Sequence, residues 1–291
     1  MKKANSTNSN NSSRKPKKGL STVVRWFWYI FIAGVVGVIL LFTSASLGLL
    51  GEMPDFQHLE NPETNLATEI VTADGKSLGK FYLDENRTPI RFKDLPKHLV
   101  DALVATEDER FYEHSGIDVR GTLRAMVYFG RKGGASTISQ QLAKQLFHKE
   151  KTRGLARYTQ KIKEWVIATR LEKQYTKEEI LAMYFNIYDF NNNADGIRSA
   201  AKIYFDKEPK NLKIEEGAML VGMFKNSALY NPVKNKEGVT NRRNVVLAQM
   251  AKNNYLTQEQ KDSLQQLPLK IKYTPESHND GIATYFREYL R

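Results

Sequence analysis

The sequence of 291 residues contains no cysteine, which excludes disulfide bridges, thiolate zinc sites, iron–sulfur clusters and cysteine nucleophiles. Acidic residues are also missing from the first 25 positions, which hold seven of the 44 lysine and arginine residues. The rest of the chain carries 37 basic residues against 32 acidic ones, and this balance argues against a nucleic-acid partner. Hydrophobic residues make up 41% of the chain, which is enough for a folded core.

A run without any charged residue extends from Trp26 to Leu50, and about 20 apolar residues suffice to cross a bilayer as a helix. We predict a basic, disordered, cytoplasmic tail at 1–25 and a transmembrane helix at 26–48. Because the nearby positive charge lies on the N-terminal side, we expect a single-pass anchor with the body on the extracytoplasmic side. The alternative is a cleaved signal peptide, although this run is longer than the usual signal core.

The body begins with a linker and short extended segments, and then turns helical. Residues 49–94 are predicted to hold a small β hairpin region, with extended runs at 67–72, 77–83 and 88–92 and a turn at Asp74-Gly75. A mainly α domain is predicted at 95–255, because apolar residues recur at helical spacing in the runs 95–104, 122–129, 137–147, 160–174, 177–188, 194–205, 214–225 and 239–253. Residues 256–291 are predicted to be a C-terminal linker, irregular at 261–274 and with a short helix at 282–290.

A first group of chemically able residues directly follows an apolar helical run. Glu107 stands at the edge of that run, where a carboxylate can serve as a general base. If the stretch stays helical, Glu107, Phe111 and His114 share one face. The alternative is a solvated helix end with a neutral capping histidine.

A second group lies in the segment 133–144. Ser136 or Thr137 can cap the helix that follows, and Thr137, Gln141 and Lys144 then align along one face. Hydroxyl, amide and ammonium groups suit a sugar or a phosphate better than a metal ion. The alternative is an ordinary amphipathic helix with a solvated outer face.

Two later segments have simpler interpretations when each is taken alone. Lys161 and Glu164 are neighbours on a predicted helix and by default form a surface ion pair. Thr176 and Glu179 have the spacing of a capping box, and Asn186 at the end of that segment is expected to fix a turn.

In this order, the four segments resemble the peptidoglycan glycosyltransferases, family 51 of the glycosyltransferases. The matched motif residues are Glu107, Asp108, Phe111, His114, Gly116 and Asp118 in the first segment, Gly134, Ser136, Thr137, Ile138, Gln140, Gln141 and Lys144 in the second, Lys161 and Glu164 in the third, and Ile180, Leu181, Tyr184 and Asn186 in the fourth. The resemblance extends over about 95–255.

The resemblance implies a lysozyme-like, mainly α, two-lobed domain and an inverting transfer that polymerises lipid II. By this analogy Glu107 is the general base and Glu164 the second acidic catalytic residue. The implied substrate-binding residues are Asp108, Phe111, His114, Ser136, Thr137, Gln140, Gln141, Lys144, Lys161 and Asn186.

The same resemblance implies its partners and its place in the cell. The expected partners are lipid II, the growing glycan strand and the inner membrane, while other cell wall synthesis proteins stay unidentified. The sequence requires no cofactor, and a divalent cation such as Mg²⁺ is expected by family analogy alone.

The sequence departs from the family pattern on the side where the donor would bind. Gln160 stands where the family has arginine, and Lys163 is a candidate replacement for the lost charge. The stretch before it is longer than usual, so the family's basic residue corresponds to Arg153, to Arg157 or to neither. The segment 188–196 replaces a usual Tyr-Phe-Gly run.

The end of the chain bears on the size of the whole protein. Residues 282–291 resemble the linker that enters the transpeptidase domain of class A penicillin-binding proteins, so we favour a truncated class A protein over a monofunctional enzyme. Ser77 and Lys80 fit a Ser-x-x-Lys pattern, but its partner motifs are missing from this sequence. Rival interpretations are a membrane-anchored muramidase or lytic transglycosylase, and a bitopic scaffold protein.

Overall fold

The computed structural model describes residues 18–49, 68–74, 77–81, 86–128, 134–147, 154, 156–275 and 289. The predicted helix at 282–290 therefore lies outside the described residues except at Tyr289. The chain divides into two compact units, Met1–Glu52 and Met53–Arg291, which are taken in turn.

The first unit contains one long apolar helix, α1, which runs from Lys18 to Ser46. Its segment Thr22–Ser46 has a mean hydropathy of 2.2 and is long and apolar enough to cross a membrane. The helix begins ahead of Trp26, inside the predicted disordered tail. Charged residues are excluded from the bilayer core, so the membrane span is limited to the uncharged run. The helix itself extends further, because lysine and arginine are good helix formers and the backbone hydrogen bonds continue beyond that run.

The second unit opens with a hairpin of strands β1, Thr68–Val71, and β2, Ser77–Phe81, which pair antiparallel. The third predicted strand at 88–92 is wrong, because residues 88–91 have no regular structure and Phe92 begins a short 3-10 turn. Instead, the side-chain amide of Asn186 hydrogen-bonds both backbone groups of Ile90. Its oxygen accepts from the N–H at 2.9 Å, and its nitrogen donates to the carbonyl at 2.9 Å. Those groups are then not available for a sheet.

The rest of the described second unit is helical, which confirms a mainly α fold preceded by a β hairpin and one apolar N-terminal helix. Its helices are α2 Lys97–Glu107, α3 Val119–Val127, α4 Ile138–Phe147, α5 Ala156–Gln174, α6 Lys177–Ile187, α7 Gly196–Phe205, α8 Ile214–Met223, α9 Lys236–Lys252 and α10 Gln258–Gln266. Helix α3 starts earlier than predicted because the carboxylate of Asp118 caps it, accepting from the Gly121 N–H at 3.0 Å.

Two groups of helices form the core of this unit. Helices α2, α8 and α9 pack on one another, and α4 packs on α5 and α6. Their apolar faces are closed to solvent, with fully buried side chains at Leu99, Leu103, Leu142, Leu171, Leu181, Leu220 and Leu247. Each such leucine contributes about 2 kcal/mol on leaving water, so these contacts hold the helix ends in place around the site described below.

Helix α10 shows that the prediction of an irregular segment at 261–274 is wrong for 261–266, whereas 267–274 has no regular structure, as predicted. The helix has few apolar residues and so gives no amphipathic signal, but Thr257 and Gln260 form a capping box at its start. The buried guanidinium of Arg243 donates to the backbone carbonyl oxygens of Gln265 and Leu267 at 3.1 and 2.8 Å. The end of the helix is therefore stabilised by a residue far away in the sequence.

Candidate active site

A polar cavity of about 480 Å³ opens where the C-terminal end of α2, the start of α4 and one side of α9 meet. Its lining consists of Ala105–Arg110, Asp118, Arg124, Gly134–Thr137, Gln141, Lys225, Arg242, Gln249 and Lys252. Charged side chains of both signs dominate this lining, so the cavity suits a polar ligand better than an apolar one.

Glu107, the predicted base, is the last residue of α2 and lines this cavity. Its side chain keeps only 14% of its exposure. The side-chain amide of Gln141 donates to Oε2 at 3.1 Å, and a guanidinium nitrogen of Arg242 lies 3.7 Å from Oε1. The carboxylate is thus held from α4 on one side and from α9 on the other.

The orientation of the Gln141 amide is set by Tyr184, whose hydroxyl donates to Gln141 Oε1 at 2.8 Å. The reverse orientation of this amide would point its oxygen at the carboxylate of Glu107, leaving two acceptors facing each other. Burial, with the negative charge of Glu107, raises the pKa of Tyr184 well above its usual range, so the phenol keeps its proton. A chain of donors therefore runs from Tyr184 to the carboxylate.

Asp108, the next residue, is turned away from helical geometry and buried. Its Oδ2 accepts from the Ile138 N–H at 3.0 Å and lies 3.0 Å from His114 Nε2. A carboxylate at a helix N-terminus is favoured by the unpaired backbone N–H groups there. Asp108 and His114 thereby tie the first motif to the start of α4.

Phe111 does not share a helix face with Glu107, because α2 ends at Glu107 and Phe111 begins a separate 3-10 turn. Its ring is fully buried, and the ammonium of Lys177 lies 4.2 Å from the ring centre. The same ammonium donates to the His114 carbonyl at 2.7 Å. In this structure Phe111 supports the turn that carries the motif.

Thr137 precedes α4 and caps it, with its Oγ1 accepting from the Gln140 N–H at 3.2 Å. The same hydroxyl donates to the Gly116 carbonyl at 2.7 Å, and so does the Gln140 amide at 3.2 Å. Both side chains are buried. Gly116 has φ +87°, and a Cβ there would lie 2.8 Å from the backbone of Ala168. The close approach of this turn to Ala168 therefore requires glycine.

The expected polar stripe along α4 is therefore divided. Gln141 and Thr137 both line the cavity, but the hydroxyl of Thr137 is already bonded to the Gly116 carbonyl, and Lys144 is exposed and absent from the lining. Asn186 likewise lies outside the lining and fixes the chain at Ile90. The roles of these residues in binding substrate stay predictions.

A second cluster connects the cavity to α5. Lys161 Nζ donates to Ser136 Oγ at 3.0 Å and to Glu164 Oε2 at 3.0 Å, and Ser136 lines the cavity. Glu164 is buried outside the lining, and its other oxygen accepts from the amide of Gln160 at 3.3 Å. Glutamine in place of arginine keeps this carboxylate bonded but removes one positive charge. Of the two other basic candidates, Arg157 is exposed and Arg153 lies outside the described residues.

Several basic residues of the cavity were not found from the sequence. They are Arg110, Arg124, Lys225, Arg242 and Lys252. The sequence contained a signal for Arg242. Two adjacent arginines interrupt an apolar helical run at 242–243, so at least one of the two side chains had to approach the protein interior. The others lie in loops or on helix faces where a basic residue is ordinary.

Ion pairs line one side of the cavity. Lys252 Nζ lies 3.1 Å from Glu109, and Arg124 lies 3.8 Å from the same carboxylate. The hydrogen bond from Lys252 lowers the pKa of Glu109. Arg110 pairs with Asp118 at the start of α3. These acids are thus neutralised within the protein.

Among the residues that the structure describes, the carboxylates do not form a metal cage. Within the described part of the chain, no group of three or more histidine, aspartate or glutamate side chains could hold a metal ion. Glu107, Glu109 and Asp118 are each paired with an amide or a cation. This donor set does not fit a resident Mg²⁺ ion, and the expectation of a divalent cation stays an untested prediction.

The chain belongs to the Transglycosylase family, whose model matches residues 74–251, and the helical unit with its charged cavity is therefore an enzyme domain. The family resemblance is thereby confirmed. The match begins ahead of residue 95 and takes in strand β2, whereas strand β1 lies before its first residue.

Similar curated proteins include penicillin-binding proteins 1A of several bacteria. That of Pseudomonas aeruginosa is 34% identical over 272 residues, which cover 91% of this chain and 32% of that protein. That of Escherichia coli is 36% identical over 226 residues, covering 76% of this chain and 26% of that protein. This chain spans between about a quarter and a third of the length of these relatives. The crystal structure of penicillin-binding protein 1A from Haemophilus influenzae matches with a TM-score of 0.43 and 24% identity, covering 79% of this chain and 24% of that one.

Proposed function

We propose that this chain is a peptidoglycan glycosyltransferase that polymerises lipid II into β-1,4 glycan strands with inversion. Glu107 accepts the proton of the GlcNAc 4-hydroxyl on the incoming lipid II. The freed oxygen attacks the anomeric carbon of the donor MurNAc. The bond from that carbon to undecaprenyl pyrophosphate breaks, and the pyrophosphate leaves as an anion. The observation that carries this proposal is the carboxylate of Glu107, enclosed in the cavity and held by Gln141 and Arg242.

The cationic part of the site suits the leaving group. Departure of pyrophosphate develops negative charge, which fixed cations stabilise. Lys161 is partly exposed beside the cavity-lining Ser136, where a lysine can act as a point charge for a diphosphate. A hydrolase that only cleaves glycan does not need this cation, so the cluster favours transfer over the muramidase alternative.

The decisive experiment replaces the base. Glu107→Gln keeps the volume and most of the hydrogen-bonding shape, so we expect a folded protein that forms no detectable glycan polymer from labelled lipid II. Circular dichroism and thermal unfolding check the fold. A folded variant that retains substantial turnover would remove Glu107 from this role. Release of short glycan from preformed peptidoglycan by the native chain, with no polymer from lipid II, would establish the muramidase alternative instead.

We further infer that the body of the protein meets the lipid surface on the extracytoplasmic side of the inner membrane. The reactive diphosphate of lipid II lies at the headgroup level, and α3 exposes an apolar row at Val119, Leu123, Met126 and Val127. These positions fall on one helix face, which is typical of an interfacial helix.

A flotation assay tests this inference. Residues 51–291, without α1, are expected to rise with liposomes of anionic phospholipid. The double variant Leu123→Ser with Met126→Ser removes exposed apolar area without touching the core, and should reduce the bound fraction several-fold. Clean partitioning of the native fragment into buffer would contradict the inference.

A further inference from the structure

Arg242 is held in place by the helix next to its own. It belongs to α9, its side chain is 12% exposed, and its Nε donates to the carbonyl of Gly222 on α8 at 3.3 Å. A Cβ at Gly222 would lie 3.0 Å from Arg242 Cγ, so the glycine leaves the room in which the arginine stem lies. The guanidinium is thus fixed before any ligand binds.

The two oxygens of Glu107 have different surroundings. Oε2 accepts the hydrogen bond from Gln141 at 3.1 Å, whereas Oε1 is 3.7 Å from the nearest guanidinium nitrogen of Arg242. A distance of 3.7 Å is too long for a hydrogen bond but short enough for strong charge attraction in an enclosed site. Oε1 is therefore attracted by a positive charge. Among the described residues no hydrogen bond occupies its lone pairs, so it can accept a proton.

We propose that Arg242 is a positioning residue for the base, a proposal that rests on the function proposed above. Arg242 and Gln141 hold the carboxylate from opposite sides, and Oε1 is the oxygen that takes the proton from the acceptor hydroxyl. Holding a reacting group in one orientation before the substrate arrives lowers the barrier without strengthening ground-state binding.

The adjacent arginine shows what a purely architectural role looks like on the same helix. Arg243 is fully buried and donates to the backbone carbonyl oxygens of Gln265 and Leu267, away from the cavity. Arg242 instead presents its guanidinium to a cavity-lining carboxylate. The two side chains of one arginine pair thus serve different purposes.

The test separates kcat from KM for lipid II polymerisation. Arg242→Met keeps the stem and removes the charge, and we expect kcat to fall about 30- to 100-fold with KM changed less than about threefold. Arg242→Lys should recover part of the loss. Free guanidinium should partly restore Arg242→Ala but leave Glu107→Gln inactive. Arg198→Met, which removes an exposed ion pair with Glu208, is the matched control and should keep native kinetics.

A second variant tests placement while keeping the charge. Gly222→Ala puts a methyl group against the Arg242 stem, and we expect kcat to fall about 3- to 10-fold. If Arg242→Met fails to fold, the kcat of Gly222→Ala tests the positioning role of Arg242 by itself. The proposal is overturned if the folded variants keep kcat within twofold of native or raise KM alone. Activity of Glu107→Gln would overturn the proposed function itself, and that outcome is distinguishable from a failure of Arg242 alone.

Discussion

The two sides of the cavity are built differently. On the base side, Glu107 keeps 14% of its side-chain exposure and is the end of a donor chain from the fully buried Tyr184. The cationic side lies next to the lining: Lys161, bonded to the lining residue Ser136, keeps 37% of its side-chain exposure, and Lys144 is exposed. A proton transfer depends on placing two atoms within hydrogen-bond distance, whereas a diphosphate can be stabilised by charge over a longer range. The structure therefore fixes the base tightly and leaves Lys161 and Lys144 more open to solvent.

Of the remaining substitutions, removal of a lysine on the cationic side should have the largest effect. We expect Lys161→Met to lower kcat about 10- to 100-fold, because it removes charge stabilisation of the departing diphosphate. Lys144→Ala should cost less, about 3- to 10-fold, because its side chain is exposed and more strongly screened by solvent, whereas Lys161 is bonded to the cavity-lining Ser136. Both are measured with labelled lipid II.

Salt dependence distinguishes charge from geometry in these lysine variants. The residual cationic contribution should weaken as ionic strength rises, and Lys161→Arg should retain much of the native rate. Lys202→Met, which removes an exposed ion pair with Asp206, is the control and should behave like the native chain. If Lys144→Ala proved more damaging than Lys161→Met, the cationic side would have to be reassigned to Lys144.

A smaller effect is expected from the far end of the donor chain on the base side. Tyr184→Phe removes the hydroxyl that orients Gln141 and leaves the amide oxygen without that donor. We expect kcat to fall about threefold to tenfold and the free energy of unfolding to fall by about 1 kcal/mol, the usual contribution of one hydrogen bond. Steady-state kinetics and urea unfolding check both numbers. An unchanged kcat with the full loss of stability would make Tyr184 purely structural.

The smallest effect on catalysis is expected in the turn after α6, away from both sides of the cavity. Asn191, Asn192 and Asn193 have φ of 61°, 56° and 60°, a left-handed conformation that asparagine tolerates better than most residues. Asn192→Ala should lower the free energy of unfolding by about 1–2 kcal/mol, with kcat unchanged. Asn192→Gly should cost less, because glycine adopts this backbone freely. A loss of kcat in a stable variant would connect this turn to the site.

The predictions from sequence succeeded where the information was local or lay in the order of motifs. The apolar character of an uncharged run does not depend on its tertiary surroundings, so α1 was predicted from the sequence. Its start at Lys18 was not predicted. Helical spacing located helices α2 to α9 of the second unit but not α10, and the motif order identified the family. Glu107 was placed correctly at the end of a helix because that end coincides with the end of the apolar pattern.

Tertiary structure decided what each side chain contacts. The sequence placed Thr137 on a stripe with Gln141, but the fold turned its hydroxyl to the carbonyl of Gly116. Gln141 and Glu107 are 34 residues apart, and no helical period relates them. Arg242 approaches Glu107 only because α9 packs on α2. Spacing along the chain specifies neighbours within one helix, whereas the contacts that orient a base are made between helices and exist only once the helices have packed.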